Sequence, residues 1–342
     1  MVLNRRDCSI LRGWAIFCII VHNFCHWLPD APKENEFYWS SENIDSCIQS
    51  FLNGNVFISF FSFLGHYGVP VFVFLSGYGL MKKYGIDKLH SKSNYVVSHL
   101  LKLTKLMLPG LVIYLFLSYL LTNSLEGMNI VKFVLQTLYL SNLIPSNYIS
   151  IIPGPYWYFG LTIQLYLVYL LLLKNIYKRL SFFIILYIAL MLILYNHHYL
   201  TVWLKYNFIG SVIPFALGII WAKCDYDFYT IIKKNPVIVA FISFVIILLF
   251  EYSYFTWLFT SIPVVSFSIS IMILSQGFVG KLLTYVGNLS HLVFIVHPSL
   301  RIFVFYLYDY GILNWQTGLV LYIVLSLLFA SLMSQLKCLS NK

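Results

Sequence analysis

The chain has 342 residues, 60% hydrophobic and only 10% charged, with a mean hydropathy of +0.81 and a formal charge of +10. That balance excludes a set of soluble domains. The positive charge lies in short links between apolar runs, which excludes a nucleic-acid surface and reads as membrane topology.

The first apolar run, ILRGWAIFCIIVHNFCHWL at 10-28, holds Arg12, His22 and His26. It has no small-residue cleavage site before Pro29, so it is expected to stay in the mature chain. A polar segment follows over 29-50, with five acidic residues, Asp30, Glu34, Glu36, Glu42 and Asp45, against Lys33. The second run, 56-80, ends at a link with Lys82, Lys83, Lys88 and Lys92, which marks that link as cytoplasmic. Further runs fall near 99-121, 155-173, 181-195, 207-222, 236-251, 255-275, 284-307 and 315-335.

Between the third and fourth runs, VKFVLQTLYLSNLI is only about 14 residues long, short of a spanning helix, and reads as an interfacial or re-entrant piece. The prediction is therefore an all-α, polytopic transmembrane bundle of about ten spans, a single integral membrane domain over 1-342. The even count places both termini in the cytoplasm. Inner links then carry Lys174, Lys178 and Arg179, next Lys223, Lys233 and Lys234, then Lys281, with Lys337 and Lys342 in the tail. Outer links carry Glu126, Glu251 and Asp309, with Lys205 as an exception. Continuous apolar runs, without alternation, argue against a β-barrel.

Ionisable residues inside such spans call for a function. Arg12 and His22 are ten positions apart, about 15 Å of helix rise and about 80° in azimuth. His26 lies one turn beyond His22 and close to Arg12 in azimuth; an interfacial place beside Trp27 is its plainer reading. His22 as a helix-helix hydrogen bond and Arg12 as a topology charge are the plainer readings of that pair. His297 and Arg301, one turn apart in the penultimate run, are costly to bury alone. Snorkelling explains Arg301 equally well. The six cysteines, Cys8, Cys18, Cys25, Cys47, Cys224 and Cys338, lack metal-ligand spacing, and no metal is expected.

Four segments in order resemble the acyltransferase 3 family of bacterial membrane O-acyltransferases: DCSILRGWAIFCIIVHN, GVPVFVFLSGYGL, PYWYFGLTIQLYLVY and YVGNLSHLVFIVHPSL. The resemblance implies transfer of an acyl group, most often acetyl from acetyl-CoA, to a hydroxyl of a cell-envelope or exported glycan or glycolipid, at the bacterial inner membrane. It implies His22 as the base, His297 as a second site residue, and Arg12, Lys102 and Lys105 as donor contacts. The lysine pair is also what a positive-inside flank would look like. His26, Ser76, Trp157, Gln164, Tyr166 and Arg301 are the acceptor-side or supporting candidates. Nine residues separate Arg12 from His22, where the commoner family pattern has ten. Thr162 and Ile163 stand where many relatives have a glutamate, which leaves Asp7, Gln164 or no residue to support the base. The alternative class is a transporter or flippase for a glycan or lipid intermediate.

Overall fold

The computed structural model describes residues 3–85, 91–125, 129–145, 151–173, 175–223 and 227–340; Lys88, Glu126, Lys174, Cys224 and Lys342 lie outside them. All regular structure among the described residues is helical. Backbone groups in hydrocarbon have no water to bond, and helices satisfy them internally. In chain order the helices are α1 Arg5–Cys25, α2 Ser41–Leu52, α3 Val56–Leu64, α4 Gly68–Tyr84, α5 Lys92–Thr122, α6 Ile130–Thr137, α7 Trp157–Leu172 and α8 Ile176–Ile193. They continue as α9 His198–Lys205, α10 Val212–Lys223, α11 Asp227–Lys234, α12 Pro236–Glu251, α13 Tyr254–Trp257, α14 Ser261–Leu274, α15 Gly277–Asp309 and α16 Trp315–Ser340.

Among the described residues, seven helical stretches are long and apolar enough to cross a membrane: Arg5–Cys25, Val56–Tyr84, Lys92–Thr122, Gly154–Leu172, Ile176–Ile193, Gly277–Asp309 and Trp315–Leu336. An eighth is counted if His198–Lys205 and Phe208–Lys223, bent by 64° at their junction, form one span. Among the described residues, helices long and apolar enough to span thus number seven or eight, short of the expected ten. The remaining two runs form α12 and α14, of 16 and 14 residues, which fall short of the roughly 20 a bilayer requires. The piece between the third and fourth runs is only eight helical residues, α6, about 12 Å long. Its Ile130 is 82% exposed and Val131, Val134 and Leu138 are also exposed, an apolar face suited to an interface.

Two compact units divide the chain: Met1–Lys92 with Leu165–Asn288, and Ser93–Gln164 with Leu289–Lys342. In the first, α1 packs on α3, α4 and α14, α4 on α10, and α12 on α14. Small residues make these crossings close, as helices in lipid require. A methyl on Gly77 would come 2.3 Å from the Phe215 carbonyl oxygen, and one on Gly218 2.0 Å from that of Phe74. Around them Leu11, Ala15, Val71, Phe74, Val264 and Ile269 form a buried apolar core. In the second unit the Tyr156 hydroxyl donates to the Ile295 carbonyl at 2.8 Å, Gln136 donates to the Tyr156 carbonyl, and Asn142 donates to that of Trp157.

Candidate active site

The site is built at the C-terminal end of α1. That helix starts in a capping box: the Asn4 side chain accepts from the Asp7 amide, and the Asp7 carboxylate accepts from the Asn4 amide, each at 2.9 Å. Asp7 is thereby committed to the helix start. It lies 15 positions from His22, about 22 Å of rise, so it does not support that histidine. Arg12 is half-buried in the same half of the helix. Its Nε donates back to the Cys8 carbonyl at 3.1 Å, and an Nη approaches Ser9 Oγ at 3.4 Å.

His22 is buried, and its Nδ1 lies 3.2 Å from the Phe61 carbonyl oxygen. A carbonyl can only accept, so this bond puts the proton on Nδ1 and leaves Nε2 of the neutral ring with its lone pair. Phe61 is brought there by Gly65. A methyl on Gly65 would stand 2.6 Å from His22 Cβ and 2.9 Å from the Cys18 carbonyl oxygen. Between α3 and α4 the helix tightens into a 3₁₀ turn over Gly65–Tyr67. The turn delivers a third imidazole, His66, edge-on to His22 with ring centroids 5.8 Å apart. His66 is buried with no aligned hydrogen bond to either ring nitrogen. On the other side His26 stacks on His22 at 5.4 Å.

The polar segment after α1 folds back over these rings. Asn35, fully buried, fixes it: its amide donates to Glu251 Oε2 at 2.9 Å, and its side-chain oxygen accepts from Asn43 at 2.8 Å. Its carbonyl accepts from the Trp257 indole at 2.6 Å. Its neighbours on either side, Glu34 and Glu36, both come close to His22. Glu34 Oε2 lies 2.9 Å from His26 Nδ1, a close contact without aligned hydrogen-bond geometry. One ring nitrogen of His22 and one oxygen each of Glu34 and Glu36 all fall within 4.8 Å of one another.

The two carboxyls are not equivalent. Burial, the largest influence on Glu34, pushes its pKa up, but the contact with His26 and the facing His22 and His66 together outweigh it and hold the group at about 2. Burial raises Glu36 well above the carboxylate range, with the Glu34 charge acting in the same direction and Lys205 opposing. The arrangement can hold a proton between carboxyl and imidazole, and its three ligand atoms are also close enough to grip a divalent cation.

Glu251 is fully buried at the end of α12, accepting from Asn35 and from the Tyr67 hydroxyl. The sequence exception Lys205 belongs to this network: its ammonium lies 4.2 Å from the centre of the Trp257 ring and within the field of Glu251 and Glu36. A small apolar cleft, open at its mouth, shares Phe61 and Gly65 with the His22 site and is walled by Trp14, Cys18 and Phe267.

Of the other predicted residues in this unit, Ser76 is half-buried and its hydroxyl donates to the Phe72 carbonyl of its own helix at 2.9 Å, while Tyr166 is half-buried on α7. The second unit holds the rest. There His297 is fully buried, with Nδ1 3.2 Å from the Val293 carbonyl, and Arg301 is buried one turn on. Trp157 is buried and Gln164 half-buried on α7, and Lys102 and Lys105 are exposed on α5. Glu34, Asn35, Glu36, His66 and Glu251 escaped the sequence reading as site residues. His66 had a signal: an imidazole inside an apolar run, between Gly65 and Gly68.

An all-α, multi-pass membrane protein with a buried histidine–carboxylate cluster at the end of its first helix is the class this architecture defines. The chain belongs to the acyltransferase 3 family of bacterial polytopic O-acyltransferases, whose model, described as an acyltransferase domain, matches residues 7–335. No curated protein and no solved structure matches it.

Proposed function

We propose that the chain, as one acyltransferase domain, moves an acyl group, acetyl from acetyl-CoA, to a hydroxyl of a cell-envelope or exported glycan or glycolipid, with His22 as general base. The observation that carries this reading is the Nδ1 contact with the Phe61 carbonyl, which leaves Nε2 as the basic nitrogen. In the proposed step Nε2 takes the acceptor hydroxyl proton as the oxygen attacks the thioester carbonyl. The C–O bond forms, the C–S bond breaks, and the thiolate leaving as coenzyme A takes the proton back from the imidazolium. The Glu34 carboxylate, facing His22, favours that transient cation by its charge. The apolar cleft beside Phe61 takes the acyl group and keeps bulk water from the thioester.

Arg12 attracts the donor phosphates from the N-terminal half of α1. The parts given by the resemblance to the second unit belong to the same proposal: Lys102 and Lys105 for donor phosphates, and His297 and Arg301 for the acceptor. His26, Ser76, Trp157, Gln164 and Tyr166 support acceptor binding. The reading requires no metal. It includes α12 and α14 as short spans, giving ten in all and both termini in the cytoplasm of a bacterial inner membrane. Eight spans would leave the same even count.

The test is transfer of labelled acetyl from acetyl-CoA by the purified protein in nanodiscs, with mass spectrometry of envelope glycans from cells with and without it. Donor-dependent gain of one acetyl mass on a glycan is expected. Unchanged glycans together with movement of unmodified substrate would replace the reading with a carrier.

A further inference from the structure

The segment that carries Glu34 and Glu36 continues into a second concavity. A hollow of about 160 Å³, open at its mouth, is lined by Trp39, Ser41, Glu42, Tyr195, Asn196 and Tyr254 among others. Tyr195 and Tyr254 meet edge to face at 4.6 Å, and Trp39 meets Tyr254 at 6.1 Å. Trp39 is held in place by its indole N–H, which donates to the Glu251 carbonyl at 2.8 Å. Tyr195 is 45% exposed.

We infer that this hollow is a saccharide subsite, which docks a neutral sugar of the acceptor adjoining the sugar acylated at His22. This rests on the acyl-transfer reading. Three features select the ligand class. Tyr195 offers an exposed ring face to the C–H side of a sugar ring, and it is backed by Tyr254 and Trp39, whose polar tips are taken by the Met191 and Glu251 carbonyls. Ser41, Glu42 and Asn196 have no side-chain partner among the described residues, and they supply the few convergent donors and acceptors a small-ligand site needs. No Lys, Arg or His among the described residues lines the hollow, and its one charge is the Glu42 carboxylate, so a phosphate or other anion is disfavoured.

The location fits as well. Asn35 and Trp39 are both bonded to Glu251, so one buried residue sets the register of the hollow against the carboxylates. Trp39 is three positions on from Glu36, which keeps their Cα atoms within about 11 Å. A sugar in the hollow would sit within reach of a neighbouring sugar at His22.

The experiment uses the full chain in nanodiscs, fluorescently labelled, on a printed array of neutral and anionic oligosaccharides, with acceptor KM measured on the best binder. Neutral oligosaccharides should bind. Tyr195→Ala should weaken binding and raise acceptor KM by about tenfold, whereas Tyr195→Phe should retain both because the ring face remains. Absence of binding to any oligosaccharide, or equal binding by wild type and Tyr195→Ala, overturns the subsite. The His22→Ala protein, run in parallel, separates the two readings. Transfer lost in His22→Ala with acceptor KM unchanged in Tyr195→Ala overturns the subsite alone. Binding that depends on Tyr195 in a protein that transfers no acyl group supports the subsite and overturns acyl transfer.

Discussion

Glu34 and Glu36 stand two residues apart on one segment, yet their removal should act in opposite directions on stability. Glu34 falls from the usual 4.5 to about 2, and its side chain is only 14% exposed. A lowered carboxylate pKa means the folded state gains from the charged form. That contribution is fully present above about pH 4.5 and is lost as pH falls toward 2. That difference caps the loss at roughly 3 kcal/mol at neutral pH, where the facing His22 ring is neutral. Glu34→Gln should therefore lower the thermal midpoint in nanodiscs by several degrees at pH 7, with the gap to wild type closing as the buffer is taken below pH 4.5. Glu36 has the opposite sign. Its raised pKa favours the protonated form, so stability declines as pH rises through that value. Glu36→Gln mimics the proton-bearing carboxyl and should leave the midpoint at pH 7 unchanged or higher. Differential scanning fluorimetry across pH measures both. Equal losses in the two variants, or a Glu34→Gln defect independent of pH, would refute the charge assignment.

Gly65→Ala should be among the most damaging single-methyl changes, because its Cβ would stand 2.6 Å from His22 Cβ and 2.9 Å from a backbone carbonyl. A stability loss of about 1–3 kcal/mol with loss of transfer is expected from melting and rate measurements, and wild-type values would refute the contact. Asn35→Ala leaves Glu251 with one fewer donor and frees the segment between the two carboxylates. A cost of about 1–3 kcal/mol and a fall in kcat are expected by the same assays. Dialysis against EDTA should leave transfer intact; loss restored by a divalent cation would turn His22, Glu34 and Glu36 into metal ligands.

Much of the fold was legible in the sequence because apolar runs must be helical in lipid, and the long ones, α1, α5, α15 and α16, fall where the hydropathy put them. The count was less legible: hydropathy finds apolar runs but not where a helix stops, and α12, α13 and α14 divide two runs into pieces of 16, 4 and 14 residues. At the site, His22 stood out as an imidazole in an apolar span. Its carboxylate neighbours did not, because the acidic residues at 29-50 look like an ordinary solvated segment until Asn35 and Glu251, 216 positions apart, fold it back. Lys205 shows the same limit. It broke the charge rule in sequence, and its partners Glu36, Glu251 and Trp257 come together only in three dimensions.

The most direct measurement is the single-turnover rate of acyl transfer by His22→Gln, in protein whose thermal midpoint matches wild type. A general base contributes about 10²- to 10⁴-fold, so the rate should fall by that range with donor and acceptor binding preserved. A folded His22→Gln protein that transfers within a few-fold of wild type would contradict the assignment of the base.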